Sequence, residues 1–188
     1  AERMHVAFVD LATTARVELV SLTRPTPAIF QQQTSLVANY AELRGDRQAE
    51  VLTQMPNQNE FWGGGIGLSG ERHKWTLQLA ALLMTLVNAV EMRLKHAFAC
   101  RRPVEQSPQV QPLIPTPGHA SWPSGHATEI YATVELLKML LPARLMTPLM
   151  QAQLDRLAAR VAVNRTVAGV HYPVDSAAGR LLGTALGR

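Results

Sequence analysis

The stretch from residue 123 to residue 141 reads PSGHATEIYATVELLKMLL and has the composition of a capped helix. Ser124 is a strong N-cap candidate, and Pro142 ends the run. Gly125 permits close approach of the backbone, and the free N–H groups at the start of a helix bind anions. His126 lies in the first turn, where it could donate or accept a proton near neutral pH. The stretch therefore predicts a helix over 124–141 with an anion site at its start.

Helical patterns also cover most of the remaining chain. Aromatic residues are only 5% of the composition, which favours packed helices over strands, and no strand pattern of useful length is present. Residues 55–70 and the proline-rich segment 103–123 are predicted to be irregular. Further helices are predicted over 5–23, 28–43, 71–101, 147–168 and 173–186. We expect an all-α fold, a single helical bundle forming one domain over 1–188, with the active-site motifs in 95–175.

The bulk composition limits the partners and the compartment. The net charge is +4, but no block of five Lys or Arg and no nucleic-acid motif is present, so we expect no nucleic-acid partner. Cys100 is the only cysteine and excludes an intramolecular disulfide. The uncharged stretch Trp75–Val90 is shorter than the roughly 20 residues of a spanning helix, so it is interpreted as a buried core helix. We expect no membrane span and a soluble protein, periplasmic or secreted rather than cytoplasmic.

Two cations lie at the end of the predicted helix 71–101. Lys95 and Arg102 are seven residues apart, which places them on one helical face, and Pro103 ends the helix beside Arg102. Two cations on one face near a helix end can bind one anion. A basic helix end that complements the helix dipole would explain the same pair.

A third cation is followed by a histidine and a carboxylate. Gly169 separates Arg165 from His171, and Pro173 suits the first turn of the next helix. His171 and Asp175 are four residues apart and can meet across one turn. A carboxylate bonded to one ring nitrogen fixes the tautomer and makes the other nitrogen a better nucleophile or ligand. A structural His–Asp pair remains the alternative, although one oxyanion site would explain all three segments together.

The order and spacing of these residues resemble the superfamily of type 2 phosphatidic acid phosphatases, bacterial non-specific acid phosphatases and vanadium-dependent haloperoxidases. The resemblance covers about residues 95–188 and departs from the superfamily pattern at Asn164, where its members have Ser. The matching motifs are Lys95 with Arg102-Pro103, then Pro123-Ser124-Gly125-His126, then Arg165 with His171 and Asp175.

The resemblance implies two chemistries at one site. In the phosphatases the residue matching His171 attacks phosphorus to form a phosphohistidine, and the residue matching His126 protonates the leaving oxygen. In the haloperoxidases the residue matching His171 is the axial ligand of vanadium, which is bound as vanadate. The resemblance therefore implies that His171 would bind this metal here. In both, the oxyanion oxygens are held by the residues matching Lys95, Arg102, Ser124, Gly125 and Arg165.

His119 favours the peroxidase. It lies five residues before Ser124, where vanadium bromoperoxidases resemble this chain in having an extra histidine, which could act in proton delivery or halide placement. We therefore predict a vanadate-dependent haloperoxidase that oxidises bromide or iodide with hydrogen peroxide, with vanadate as cofactor. The alternative is a soluble acid phosphatase that hydrolyses a phosphate ester without a cofactor. A non-catalytic oxyanion-binding protein is the third hypothesis, and each of the three allows self-association into a homo-oligomer.

Overall fold

The computed structural model describes residues 2–55 and 58–188, and most of these residues are helical. The mostly helical fold is confirmed, while the single-bundle and one-domain organisation stays a prediction. A single 3₁₀ turn, Tyr40–Leu43, lies among the described residues. The helices are α1 Pro27–Asn39, α2 Arg44–Thr53, α3 Asn59–Gly65, α4 Lys74–Phe98, α5 Pro103–Gln106, α6 Gly125–Leu140, α7 Pro148–Val167 and α8 Pro173–Gly187.

The predicted helix over 5–23 is wrong, because this region forms an antiparallel hairpin of β1 Arg3–Val9 and β2 Arg16–Thr23. Valines in both segments, with Phe8 in β1 and Thr23 in β2, favour strands. The carboxylate of Asp10 accepts hydrogen bonds from the Ala12 N–H and the Thr13 hydroxyl, which closes the turn. The fold is therefore not purely α-helical.

The predicted loop over 55–70 is also wrong in part, because α3 occupies 59–65. Pro56 and Asn57 lie outside the described residues. Trp62 is 1% exposed and packs into the core formed with α6 and α7, which holds α3 in place despite its glycines. The segment 103–123 is irregular apart from α5, as predicted.

Helices α6 and α8 pack closely and position the site. Gly179 lies on the face of α8 that meets the start of α6, and a Cβ on it would lie 2.7 Å from the Ser124 carbonyl oxygen. Only glycine allows the two backbones to approach this closely. The Ser124 N–H then donates to the Asp175 carbonyl at 3.0 Å, so the first turns of the two helices are held together.

The interpretation of Trp75–Val90 as a buried core helix is wrong. α4 buries one face, but Trp75, Leu79, Leu82 and Leu86 lie on an opposite face that is exposed, Trp75 to 77%. By length and composition α4 could cross a membrane, and only 22% of its apolar window is buried. This helix therefore presents an apolar surface that the described residues do not cover.

Candidate active site

Lys95 lies in the last turn of α4 and is completely buried. Its ammonium group donates hydrogen bonds to the carbonyl oxygens of Ala120 (3.2 Å), Ser121 (3.4 Å) and Pro123. Its charge is therefore fixed against the loop that leads into α6. This position is consistent with the predicted contact to an anion at the start of that helix.

Arg102 follows α4 and contacts two of the three histidines of the site. Its Nε donates to the His119 carbonyl at 3.0 Å, and its Nη1 donates to the Val170 carbonyl at 2.8 Å. Nη1 is also 3.1 Å from His171 Nε2, and Nη2 is 3.1 Å from His119 Nδ1. His119 therefore lies in the site, in contact with Arg102, which is predicted to bind the oxyanion.

The His171 ring is oriented by Asp175. Nδ1 of His171 is 2.9 Å from Asp175 Oδ2, which also accepts hydrogen bonds from the Ser121 hydroxyl and the Tyr172 N–H. Because Nε2 accepts from Arg102, this network assigns the ring proton to Nδ1. Burial, and then the charge of Arg102, hold the pKa of His171 well below its usual value, so the ring is neutral.

Asp175 is completely buried at the start of α8. Burial raises the pKa of its carboxyl to about 6, against the hydrogen bonds from Ser121 and Tyr172, which lower it. Its Oδ2 is the acceptor in all three side-chain contacts. The carboxylate thus holds both the histidine ring and the first turn of α8.

Ser124 is the N-cap of α6, and its hydroxyl oxygen accepts from the Ala127 N–H at 3.4 Å. Its own N–H, one of the helix-start N–H groups predicted to bind an anion, donates instead to the Asp175 carbonyl. Gly125 and His126 occupy the first two helical positions, whose N–H groups have no acceptor within the helix. These two groups are the backbone donors that α6 can offer an oxyanion.

Gln54, at the end of α2, joins the two remaining predicted residues. Arg165 Nη2 donates to Gln54 Oε1 at 2.9 Å, and His126 Nε2 donates to the Gln54 carbonyl at 2.9 Å. Within the described part of the chain, the buried Nε of Arg165 has no partner. Burial, and then the charge of Arg165, lower the pKa of His126 to about 3. Gln54 is completely buried but has no local sequence signal, because its contacts form only on folding.

Asn164 stands where the superfamily pattern has Ser and retains a hydrogen-bond donor. Its amide donates to Glu50 Oε2 at 3.0 Å and to Gln54 Oε1 at 3.3 Å. Glu50 also forms a salt bridge with Arg160. Arg165 and Asn164 therefore share Gln54 as an acceptor, which ties α2 to α7 beside the site.

Known proteins that this chain resembles are named as phosphatases. Decaprenylphosphoryl-5-phosphoribose phosphatase from two strains of Mycobacterium tuberculosis is 30% identical over 128 residues, covering 66% of this chain and 63% of the relative. The chain thus spans slightly less than two thirds of the length of these curated relatives. The fold is shared with a transmembrane PAP2-type phosphatidylglycerolphosphate phosphatase from Bacillus subtilis, with a TM-score of 0.57, 21% identity and coverage of 86% and 84%.

These findings correct two predictions. The relatives and the solved structure are all phosphatases, so the comparisons do not support the predicted haloperoxidase over the phosphatase alternative. The expectation of a soluble protein is contradicted by the transmembrane enzyme that shares the fold. The expected absence of a membrane span is not supported, because α4 is long and apolar enough to cross a membrane. The PAP2 superfamily model matches residues 75–188, which contain all nine predicted site residues, and the chain belongs to the PAP2 superfamily.

Proposed function

We propose that this protein is a phosphatase that hydrolyses phosphate monoesters through a phosphohistidine on His171. Two hydrogen bonds of His171 carry the proposal. Its Nδ1 is 2.9 Å from Asp175 Oδ2, and its Nε2 is 3.1 Å from Arg102 Nη1. They support a neutral imidazole whose unprotonated nitrogen lies beside an anion-binding guanidinium. The phosphatases among its relatives support the same reaction.

The phosphoryl group would bind between Arg102, Arg165 and the start of α6. Arg102 is suited to a bidentate contact with phosphate oxygens, and Arg165 keeps a buried Nε without a partner among the described residues. The N–H groups of Gly125 and His126 add donors at the positive end of the helix dipole. Lys95 contributes positive charge from beneath the loop. Phosphate bound by Arg102 lies within reach of His171 Nε2.

In the first step the lone pair of His171 Nε2 attacks phosphorus and the bond from phosphorus to the ester oxygen breaks. His126 gives a proton to the leaving oxygen, and the Nδ1–H bond to Asp175 stabilises the charge that develops on His171. In the second step water attacks phosphorus and passes a proton to His126. The bond from phosphorus to Nε2 then breaks and inorganic phosphate leaves.

His126 takes up its proton from solvent when the substrate binds. Without an anion, burial and Arg165 hold its pKa at about 3, so the ring is neutral. A bound phosphate monoester offsets the charge of Arg165 and favours the imidazolium form. His126 thereby becomes a proton donor only when there is a leaving group to protonate.

The donors of this site also fit vanadate, because vanadate is a tetrahedral oxyanion like phosphate. In a haloperoxidase, vanadate bound by these residues and His171 would supply Lewis-acid activation of peroxide. His119 contacts Arg102 through both its ring and its carbonyl, so it is positioned to hold that guanidinium in either enzyme. The peroxidase therefore remains a hypothesis that the assay below tests beside hydrolysis.

The exposed face of α4 supports action at a membrane on lipid-linked phosphate monoesters. Trp75, Leu79, Leu82 and Leu86 form an apolar strip that a hydrocarbon phase would stabilise. The names of the related enzymes describe phosphate on a decaprenyl lipid and on phosphatidylglycerol. We infer that the substrate of this protein is similarly amphiphilic.

The test is a pair of assays on the same purified, metal-stripped full chain in detergent. Phosphate release from a lipid phosphate monoester, inhibited by vanadate and accompanied by only feeble bromination of a phenolic dye, is the expected result. Vanadate-dependent bromination well above that of free vanadate, without phosphate release, would establish the peroxidase and overturn the proposal.

A further inference from the structure

Glu91 is a buried carboxylate at the proposed oxyanion site that has no role in the mechanism above. It lies on α4 one turn before Lys95 and is 4% exposed. A Cβ on Gly125 would lie 2.7 Å from Glu91 Oε1 and 3.0 Å from Oε2. The carboxylate therefore lies directly against the first residue of α6, where the free backbone donors are.

The carboxylate of Glu91 lacks the partners that a buried charge requires. Across residues 2–55 and 58–188, its Oε2 has no hydrogen-bond partner and no cation lies within 4.0 Å of the carboxylate. The Lys95 ammonium instead donates to the carbonyls of the loop before α6. An unpaired carboxylate is far more costly to bury than a carboxylic acid. Glu91 therefore needs either a proton or a ligand that brings one.

The charged groups around Glu91 lie on three parts of the chain. Lys95 is on the same helix, Arg102 follows that helix, and Glu129 faces it from α6. Glu129 already accepts a hydrogen bond from the Gln58 amide at 2.7 Å. Among these groups Glu91 alone has an unpartnered oxygen next to Gly125.

We propose that Glu91 shares one proton with the oxyanion bound at the start of α6 and thereby selects phosphate over sulfate. The inference rests on the proposed function, since that function places phosphoryl oxygens beside Gly125. Hydrogen phosphate, and likewise the monoanion of a phosphate monoester, carries its own proton and can donate it to the carboxylate. Sulfate carries none, so it binds only when Glu91 takes a proton from solvent. Selectivity for phosphate therefore rises with pH.

The experiment compares the wild-type full chain with Glu91→Gln, which keeps the size of the side chain and donates from its amide. Calorimetry gives the Kd of inorganic phosphate and of sulfate at about pH 7.5 and about pH 9, a range in which phosphate is mainly the dianion. One proton linked to sulfate binding changes its Kd by about tenfold per pH unit. The ratio of sulfate Kd to phosphate Kd should rise about tenfold or more in the wild type and stay within about twofold in the variant.

Glu129→Gln is the matched control, because it removes the same charge near Lys95 from a carboxylate that already has a partner. It should behave as the wild type. If the ratio changes equally in Glu91→Gln and the wild type while phosphate still binds, the proton-sharing role is wrong. If phosphate does not bind the wild type at any pH, the proposed function itself fails.

A second measurement needs no variant. Calorimetry of the wild type in buffers of different ionisation enthalpy reports the protons taken up on binding. Sulfate should take up about one proton more than phosphate at the higher pH, as expected for linkage to one site. Equal proton uptake for the two anions would overturn the inference.

Discussion

Nη1 of Arg102 donates a hydrogen bond to Nε2 of His171 at 3.1 Å. A guanidinium can only donate, so Nε2 is the acceptor and the ring proton is on Nδ1, facing Asp175. The predicted nucleophile and the predicted anion ligand are thus in contact before any substrate binds. A phosphoryl group that takes over the Arg102 donors would release the lone pair of Nε2 at the place where phosphorus arrives.

Replacing Asp175 by Asn should lower kcat by about 10²–10⁴-fold with little change in KM, because the amide no longer fixes the reactive tautomer of His171. Steady-state kinetics with a lipid phosphate monoester, beside a thermal melt, measures the effect. Ser121→Ala is the control: it removes one hydrogen bond to Asp175 but leaves the histidine contact, so its loss should be smaller. A kcat within twofold of the wild type in Asp175→Asn would contradict the orienting role.

Replacing His171 by Ala should abolish turnover and also the covalent intermediate. Acid-sensitive, base-stable label from a ³²P-labelled substrate should appear on the wild type after rapid quenching, as expected for a phosphohistidine. The variant should carry no such label. Labelling of His171→Ala at the wild-type level would place the nucleophile elsewhere.

Replacing His119 by Phe should reduce hydrolysis by no more than about fivefold, the value of one hydrogen bond of about 1 kcal/mol. Arg102 loses the His119 ring but keeps its hydrogen bonds to the His119 and Val170 carbonyls. In a peroxidase the same change should alter halide preference instead. His126→Phe is the matched control and should lose far more, since it removes the proposed proton donor. Complete loss of hydrolysis in His119→Phe would show that the ring itself takes part.

The motifs could be predicted from sequence because each is local. His171 and Asp175 are one helical turn apart, and Ser124 caps the helix that its own sequence predicts. Gln54 and Glu91 could not be found in this way, since their importance depends on α2 and α4 packing against α7 and α6. The hairpin at residues 3–23 could not be predicted for a related reason, since valines spaced by three or four residues also suit a helix. The turn that Asp10 closes lets the two segments pair as strands instead.

The Glu50 salt bridge predicts a pH dependence of stability. The hydrogen bond from Arg160, and then the one from Asn164, lower the pKa of Glu50 from 4.5 to about 2. Because the pKa of Glu50 is lower in the folded state, its ionised carboxylate stabilises the fold above pH 4.5. This stabilisation disappears as the pH falls to about 2. Glu50→Gln should therefore melt slightly below the wild type at neutral pH, a small effect because Arg160 is half-exposed.

Thermal melts of both proteins as a function of pH test this. The difference in Tm should be constant above pH 4.5 and approach zero by about pH 2. Taking the difference removes the contribution of all other carboxyl groups that titrate in the same range. A Tm difference that does not change with pH would show that Glu50 stabilises the fold without ionising.

Trp75 offers a direct test of membrane contact through α4. It is 77% exposed, whereas Trp62 and Trp122 are 1% and 2% exposed. A change in the polarity of the medium around the protein therefore alters the fluorescence of Trp75 alone. Adding phospholipid vesicles to detergent-depleted protein should shift the tryptophan emission to the blue, and lipids brominated on their acyl chains should quench it. Trp75→Phe should abolish both effects while the emission of the two buried tryptophans remains. If the wild type shows neither the shift nor the quenching, the exposed strip of α4 does not enter the hydrocarbon phase, and the inferred lipid-linked substrate loses its structural support.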